Sequence, residues 1–442
     1  MAVLAMATCA FAQSTNKQET TYRRSSLYTI MIPDADLTGD EKTIVSNTFL
    51  EKAFPDKYDN MCMKTRVIEL KDLESLGVTQ ADIDKIDKEL TEKKSGAGKL
   101  LKKGISFIKK ASADEGTEVQ TASKDAQYIA QLNAYFAKNH IAGKLVAKWL
   151  GGGETAVKHQ APRTTLIEQR GLNTLSQDEL NKAKQMVGGK EKLVGAAMYD
   201  LMGKTFVMVN RYSYTPAEDI IAYISAAASS VAGDYAALAG AGLAAVIKGY
   251  FVKTTTYLYQ LDITKDDINK FAEMSDISSL YTDDNIKLKY VGKTWDYAPA
   301  TLQLSTKSDA DTKLIARATV RATDGAIANL QKKYDQFKTL STLHQDGEKL
   351  YAYVGTKEGC KEGDKFEVLQ KKLDENGNEV YDVIGKVKIE KGQLWDNREG
   401  AGEKIEGAAT DKEDKSANAN LSYSGMGTSK KLLDGSLIRQ VK

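Results

Sequence analysis

The chain has 442 residues, 42% hydrophobic and 28% charged, with only five prolines, which is a globular composition and neither a disordered nor a collagenous one. A formal net charge of +2 removes any global electrostatic argument for a nucleic-acid partner. The length exceeds one ordinary core, so two or three domains are expected.

Residues Ala2 to Ala12 read AVLAMATCAFA, an uncharged apolar run closing on the small-x-small pattern Ala10-Phe11-Ala12 that signal peptidase accepts. Residues 1–12 are therefore expected to be a signal peptide, with Gln13 as the mature N-terminus and a periplasmic or outer-membrane-associated destination. Met1 is followed directly by Ala2, without the usual Lys or Arg, so the natural start is expected upstream. Cys9 follows Met6-Ala7-Thr8, a poor acylation motif, and cleavage after Ala12 is favoured over lipidation. An oxidising compartment would permit Cys62 and Cys360 to pair, but they fall in separate predicted domains and are read as two unpaired thiols.

In chain order, Ser26 to Ile32 is a β-prone run stopped by Pro33, and Thr38-Gly39-Asp40 caps a helix from about Glu41 to Phe54. A second strand is expected from Lys64 to Leu70. Between Ser75 and Gly116 the composition turns Lys-, Gly- and Ala-rich, the texture of an insertion. Asp125 to Leu150 carries a long helical pattern ended by Gly151-Gly152-Gly153, and Ser176 to Val187 a shorter one. Lys204 to Tyr212 and Tyr250 to Ile263 read as strands, the latter with both faces covered. Leu314 to Ala322 is a β-rich run and Asp324 to Thr339 a helix. Beyond it, Tyr351 to Gly355, Lys365 to Gln370, Tyr381 to Ile389 and Ser436 to Gln440 are short strands, with Asn376-Gly377 suited to a tight hairpin.

The segments LVAKWL (Leu145 to Leu150), LIEQRG (Leu166 to Gly171), GKTFVMVN (Gly203 to Asn210) and GYFVKTTTYLYQLD (Gly249 to Asp262) resemble a family of exported Bacteroidetes proteins of unknown function. The resemblance runs from about Lys124 to the end and implies no catalytic residues. The stretch VGTKEGCKEGDKFEVLQ (Val354 to Gln370) looks like the glycine-spaced pattern of the C-terminal SH3-like barrels of flagellar assembly protein T and of curli-secretion-like envelope proteins. That resemblance implies turns at Gly355, Gly359 and Gly363, with Phe366 and Val368 pointing inward.

The chemistry-bearing motifs are sparse. Gly203-Lys204-Thr205 has Met198 where a phosphate loop needs glycine and leads into a strand, so nucleotide binding is rejected and Lys204 is read as a strand-entry surface residue. Asp34 to Asp40 starts like a calcium loop, but Val45 stands where the bidentate Glu belongs, and a helix cap explains the same residues. His140, His159 and His344 lack zinc spacing and are read as surface or loop residues. No cofactor is expected.

Two stretches could meet a membrane surface. Leu100, Leu101, Phe107 and Ile108 fall on one arc of a helical wheel, while Lys102 and Lys103 fall on the other. Packing on the protein's own core competes with interfacial binding there. Ile220 to Ile247 carries the single charge Asp234 and divides at Gly233-Asp234 into halves shorter than the ~20 residues of a spanning helix, which favours a buried helical hairpin.

The expected fold is α+β. Residues 13–118 form an N-terminal α/β segment, 119–345 a central α/β domain with an Ala/Gly-rich helical insertion at 216–248, and 346–442 a small SH3-like β-barrel. The leading functional expectation is an exported non-catalytic structural or adaptor protein, with envelope proteins or further copies of itself as partners and no nucleic acid. Its rivals are a membrane-associated protein and a hydrolase with dispersed acids.

Overall fold

The computed structural model describes residues 25–101, 115–172, 198–216, 250–300, 308–373, 379–403, 418–428 and 435–441. The signal segment 1–12, the helix expected at Ser176 to Val187, the insertion Ile220 to Ile247 and the turn Asn376-Gly377 lie outside those residues. The helices are α1 (Gly39–Glu51), α2 (Leu70–Glu74), α3 (Gln80–Leu101), α4 (Glu115–Lys138), α5 (Ile141–Trp149), α6 (Thr165–Leu172), α7 (Lys265–Glu273) and α8 (Ser308–Lys333).

Strand β1 (Ser25–Pro33) is buried over all nine residues because it has neighbours on both edges and both faces. It pairs in parallel with β2 (Tyr58–Asn60) and β3 (Thr205–Pro216). The sheet continues antiparallel through β4 (Tyr250–Asp262) and β5 (Lys287–Ala300), in the order β2-β1-β3-β4-β5. The division expected at 118/119 falls inside α4, and β1 pairs with β3 across it, so the N-terminal and central segments share one sheet.

Side-chain alternation sorts the sheet into two cores. Tyr28, Ile30, Ile32, Val207, Val209 and Tyr257 face α4 and α5, where Ile129, Leu132, Leu145 and Trp149 close the layer. Met31, Phe206, Met208, Tyr212, Val252 and Leu258 face α1 and α8. The fully buried Trp149 anchors the first core by donating from Nε1 to Thr205 Oγ1 at 2.8 Å.

Three of the elements expected from sequence take another form. The run Leu314 to Ala322 is part of α8, because Ile315, Ala318 and Ala322, then Ile327 and Leu330, recur at helical spacing and line one buried face. Packing overrides the strand preference of its β-branched residues, and the hydroxyls of Thr319 and Thr323 bond back to the carbonyls of Ile315 and Thr319. The long helix expected from Asp125 to Leu150 breaks into α4 and α5 at His140, whose φ of 47° is left-handed, while Asn139 Nδ2 bonds the carbonyl of Tyr135. The strand expected at Lys64 to Leu70 reduces to a bridge between Val67 and Met31, the edge strand being the earlier β2.

The second sheet holds seven strands: β6 (Ser341–Thr342), β7 (His344–Asp346), β8 (Lys349–Ala352), β9 (Lys365–Leu373), β10 (Glu379–Ile389), β11 (Ser424–Gly427) and β12 (Leu437–Gln440). Their order is β6-β12-β9-β10-β11-β8-β7, so the two edges of the sheet are consecutive in sequence, separated by Leu343 alone. Leu343 is fully buried in the barrel core, and this one-residue link holds the two edges near each other, giving a nearly closed barrel. Phe366 and Val368 point into that core, and Gly359 and Gly363 adopt left-handed φ of 70° and 81° as expected. Gly355 is instead extended; it is small because a Cβ would meet the Trp395 carbonyl at 2.4 Å.

The barrel docks on the outward face of α8 through cations reaching carbonyl groups. Arg321 Nε donates to the Glu399 carbonyl at 2.8 Å, and Lys332 Nζ donates to that of Gly359. Where α8 crosses the first sheet, a Cβ on Gly325 would meet Asp296 Oδ2 at 1.5 Å, and the preceding residue, Asp324, pairs with Lys52 of the α1 C-terminus at 2.6 Å.

Gly143 of α5 lies against the backbone of Leu280, whose carbonyl oxygen a Cβ would meet at 1.9 Å. Gly143→Ala is expected to lower stability by about 1–3 kcal/mol in urea unfolding, and an unchanged midpoint would count against this packing. Burial pushes the Asp296 carboxyl up to about 6, so its ionisation opposes folding. The resulting penalty is absent below the unfolded value of 3.8 and grows as pH rises through about 6. After allowance for partial exposure, Asp296→Asn should gain about 1–2 kcal/mol at neutral pH, and the gain should vanish near pH 4 in paired unfolding curves.

Candidate functional site

The connection from β1 through α1 to β2 runs over one face of the sheet, whereas the path from β2 to β3 carries α4 and α5 over the other. The carboxyl ends of β1 and β3 are therefore a topological switch point, where open α/β sheets place ligands. Asp34 follows β1 there, and Arg211 projects from β3 beside it.

Arg211 Nη2 donates to Asp34 Oδ1 at 2.7 Å, and the guanidinium lies over the Tyr128 ring at 4.9 Å. The Nε of Arg211 and the hydroxyl of Tyr128 are buried with no hydrogen-bond partner among the described residues. Burial and the neighbouring Asp34 charge raise the Asp36 carboxyl above its usual range, against the backbone amide of Tyr214. Burial, then Lys293 and Arg211, depress the Lys253 ammonium, while Asp34 and Asp36 oppose that shift. Lys253 Nζ sits 5.5 Å from the centroid of Tyr297, which is edge-on to the exposed Trp295. Asp36, Arg211 and Lys253 are each shifted from their ordinary states at a switch point, and together with the Asp34 carboxylate they make a polar cluster able to hold a ligand of mixed charge. Arg211 and Lys253 were read from sequence only as strand residues; each is a charge interrupting a buried apolar run, the signal that could have marked them.

A second concentration of chemistry lies on the barrel. His344 of β7 pairs in register with Tyr351 of β8, and their rings stack at 5.3 Å. Tyr423 approaches Tyr351 at 4.4 Å, and Tyr353 meets His344 edge-on at 5.4 Å. Leu350, Ala352 and Val354 turn toward the barrel interior, so Tyr351 and Tyr353 face outward, Tyr353 with 39% exposure. His344 thus belongs to a ring cluster that histidine spacing alone did not reveal.

The remaining sequence candidates fall in several places. Thr38 is the N-cap of α1 by position but makes no capping bond through its side chain, and Asp34 is engaged by Arg211. Lys204 pairs with Asp200 at 2.6 Å at the entry to β3. His140 and His159 are loop residues with left-handed φ. Cys62 and Cys360 are unpaired thiols, and burial pushes the Cys360 thiol up to about 12, so it stays protonated. Leu100 and Leu101 end α3 with side chains outside the described set; Lys102, Lys103, Phe107 and Ile108 lie wholly outside it. Among the described residues no helix is long and apolar enough to cross a membrane, and no three metal-ligating side chains converge.

Removing the Asp34 charge should let Asp36 titrate lower, because the like charge beside it is one of the two causes holding it up. Asp34→Asn is therefore expected to move the Asp36 carboxyl resonance downward in an NMR pH titration, and an upward or absent shift would show the two carboxylates to be uncoupled. Comparison with protein-family models and with curated protein sequences gives no match to this chain.

Proposed function

We propose that the protein is an exported, non-catalytic adaptor of the cell envelope whose SH3-like barrel docks a partner protein, or a further copy of the chain, on the ring cluster of His344, Tyr351, Tyr353 and Tyr423. The observation supporting this is the outward placement of four mutually packed aromatic side chains on a barrel whose own edges are joined. Tyrosine clusters supply large rigid contact area at low entropic cost and dominate many recognition surfaces. A nearly closed barrel leaves only the two- and three-residue strands β6 and β7 at its edges, poor templates for strand addition, so recognition falls to its side chains.

A second reading, a hydrolase with dispersed acids, draws on Asp34 and Asp36 at the switch point, the latter raised toward protonation. Asp34 is held by Arg211 in a structural pair, which favours the adaptor.

A photo-crosslinking amino acid at position 353, introduced in the native cell, is expected to capture an envelope protein or a second copy of the chain. Tyr351→Ala combined with Tyr423→Ala should weaken that association about tenfold or more, while leaving the circular dichroism spectrum unchanged. Recovery of the monomer alone from the crosslinked cells would reject the adaptor reading.

A further inference from the structure

A cleft of about 380 Å³ opens where the end of α8 meets the barrel. Its charged lining comprises Lys57, Lys332, Lys338, Lys361 and Arg439 against Glu358 and Asp364. Both carboxylates are engaged. Glu358 Oε2 accepts from the Gly355 amide at 2.7 Å and from Asn397 Nδ2 at 2.9 Å. Asp364 Oδ2 accepts from the Lys361 amide at 2.9 Å and from Gln440 Nε2 at 2.8 Å.

The cations differ in how they are satisfied. Lys332 bonds the Gly359 carbonyl, Lys338 pairs with Asp335 at 2.8 Å, and Arg439 pairs with Glu367 at 2.9 Å. Lys57 is 8% exposed, lines the cleft, and has no hydrogen-bond or ion-pair partner among the described residues. Its position is built: the next residue, Tyr58, stacks on Phe337 at 5.0 Å, donates to the Phe337 carbonyl at 3.2 Å and accepts from Gln331 Nε2 at 2.9 Å. The Lys57 side chain is mostly covered but lines the cleft with no counter-charge among the described residues, so an anion entering the cleft would supply the partner it lacks. Val354, Phe366, Ile438 and the protonated Cys360, all members of the barrel core, back the cleft with apolar or neutral side chains.

From this juxtaposition of an unpartnered, largely covered lysine, a surrounding excess of cations and an apolar backing, we infer that the junction cleft binds a small organic oxyanion, a carboxylate or a phosphate ester on an apolar body. Lys57 is the central contact to the anion, and Lys361 stands at the rim. The volume lies within the range of small-molecule sites. This site is separate from the ring cluster and stands whether or not the barrel docks a partner.

The test is calorimetric titration of the full chain with inorganic phosphate, phenyl phosphate and phenylacetate, each at ionic strength matched with sodium chloride. Saturable binding of phenyl phosphate or phenylacetate, tighter than inorganic phosphate, is expected, and the comparison of the two phenyl compounds distinguishes the head groups. Lys57→Met should weaken binding at least tenfold without lowering the melting temperature of the unliganded protein, and Lys361→Gln should weaken it severalfold. A measurement independent of any variant is acetylation footprinting: the bound anion should slow modification of Lys57 in the unaltered protein. No saturable heat from any of the three compounds, unchanged affinity in Lys57→Met, or unchanged Lys57 labelling would overturn the inference.

Discussion

Helix α8 must satisfy two sheets at once, and the rest of the architecture depends on how it does so. Its inward face is lined with small and aliphatic residues, Ile315, Ala318, Ala322, Ile327 and Leu330, which let it lie close on the first sheet. The outward face presents Arg321 and Lys332 to barrel carbonyls. Asp324 sits between these two surfaces, 7% exposed, and is tolerable there only because Lys52 reaches it at 2.6 Å from the end of α1. The Lys357 ammonium of the barrel is held up by the same Asp324 charge, along with Glu358 and Asp56, against the opposing effect of its own burial. One carboxylate therefore ties α1, α8 and the barrel together electrostatically.

Closure of the barrel follows from an equally local feature. With Leu343 buried between β6 and β7, two short strands serve opposite edges of one sheet, and neither has to be long. With edges this short, function is directed to what the barrel carries on its outer surface and to what it traps against α8. The ring cluster is of the first kind and the junction cleft of the second. The first sheet is managed differently at its free edge: β5 bears Lys287, Lys289 and Lys293, a bulge opposite Leu258 and Tyr259, and Pro299, all of which discourage pairing with another strand.

Strands that are buried on alternating faces were legible in the sequence. The runs through β1, β3, β4, β9 and β10 announce themselves by composition and alternation, and each lies where it was expected to within a few residues. The N-terminal half of α8 was not legible, because Ile, Val and Thr there favour strands and only a sheet packed against them reveals the helical stripe. The break at Asn139-His140 carried a weak signal in Asn, whose tolerance of left-handed backbone marks turns; the structure uses the next residue for that conformation. Strands β6, β7 and β11 were missed because they are too short for periodicity to register. Lys57, Lys338, Lys361 and Arg439 converge only through tertiary structure, so the cleft had no local signature.

The contrast between Lys52 and Lys57 separates a cation that the fold pairs from one that it leaves facing a cleft. Five residues apart on the segment leading into β2, both side chains are largely covered, at 10% side-chain exposure for Lys52 and 8% residue exposure for Lys57. Lys52 recovers its desolvation through Asp324 and so contributes to the joining of α1 and α8. Lys57 recovers nothing from the described residues, although Tyr58 beside it is stacked, bonded and fixed. The Lys57 side chain therefore lines a junction cleft in which both carboxylates, Glu358 and Asp364, are already engaged by groups of the barrel.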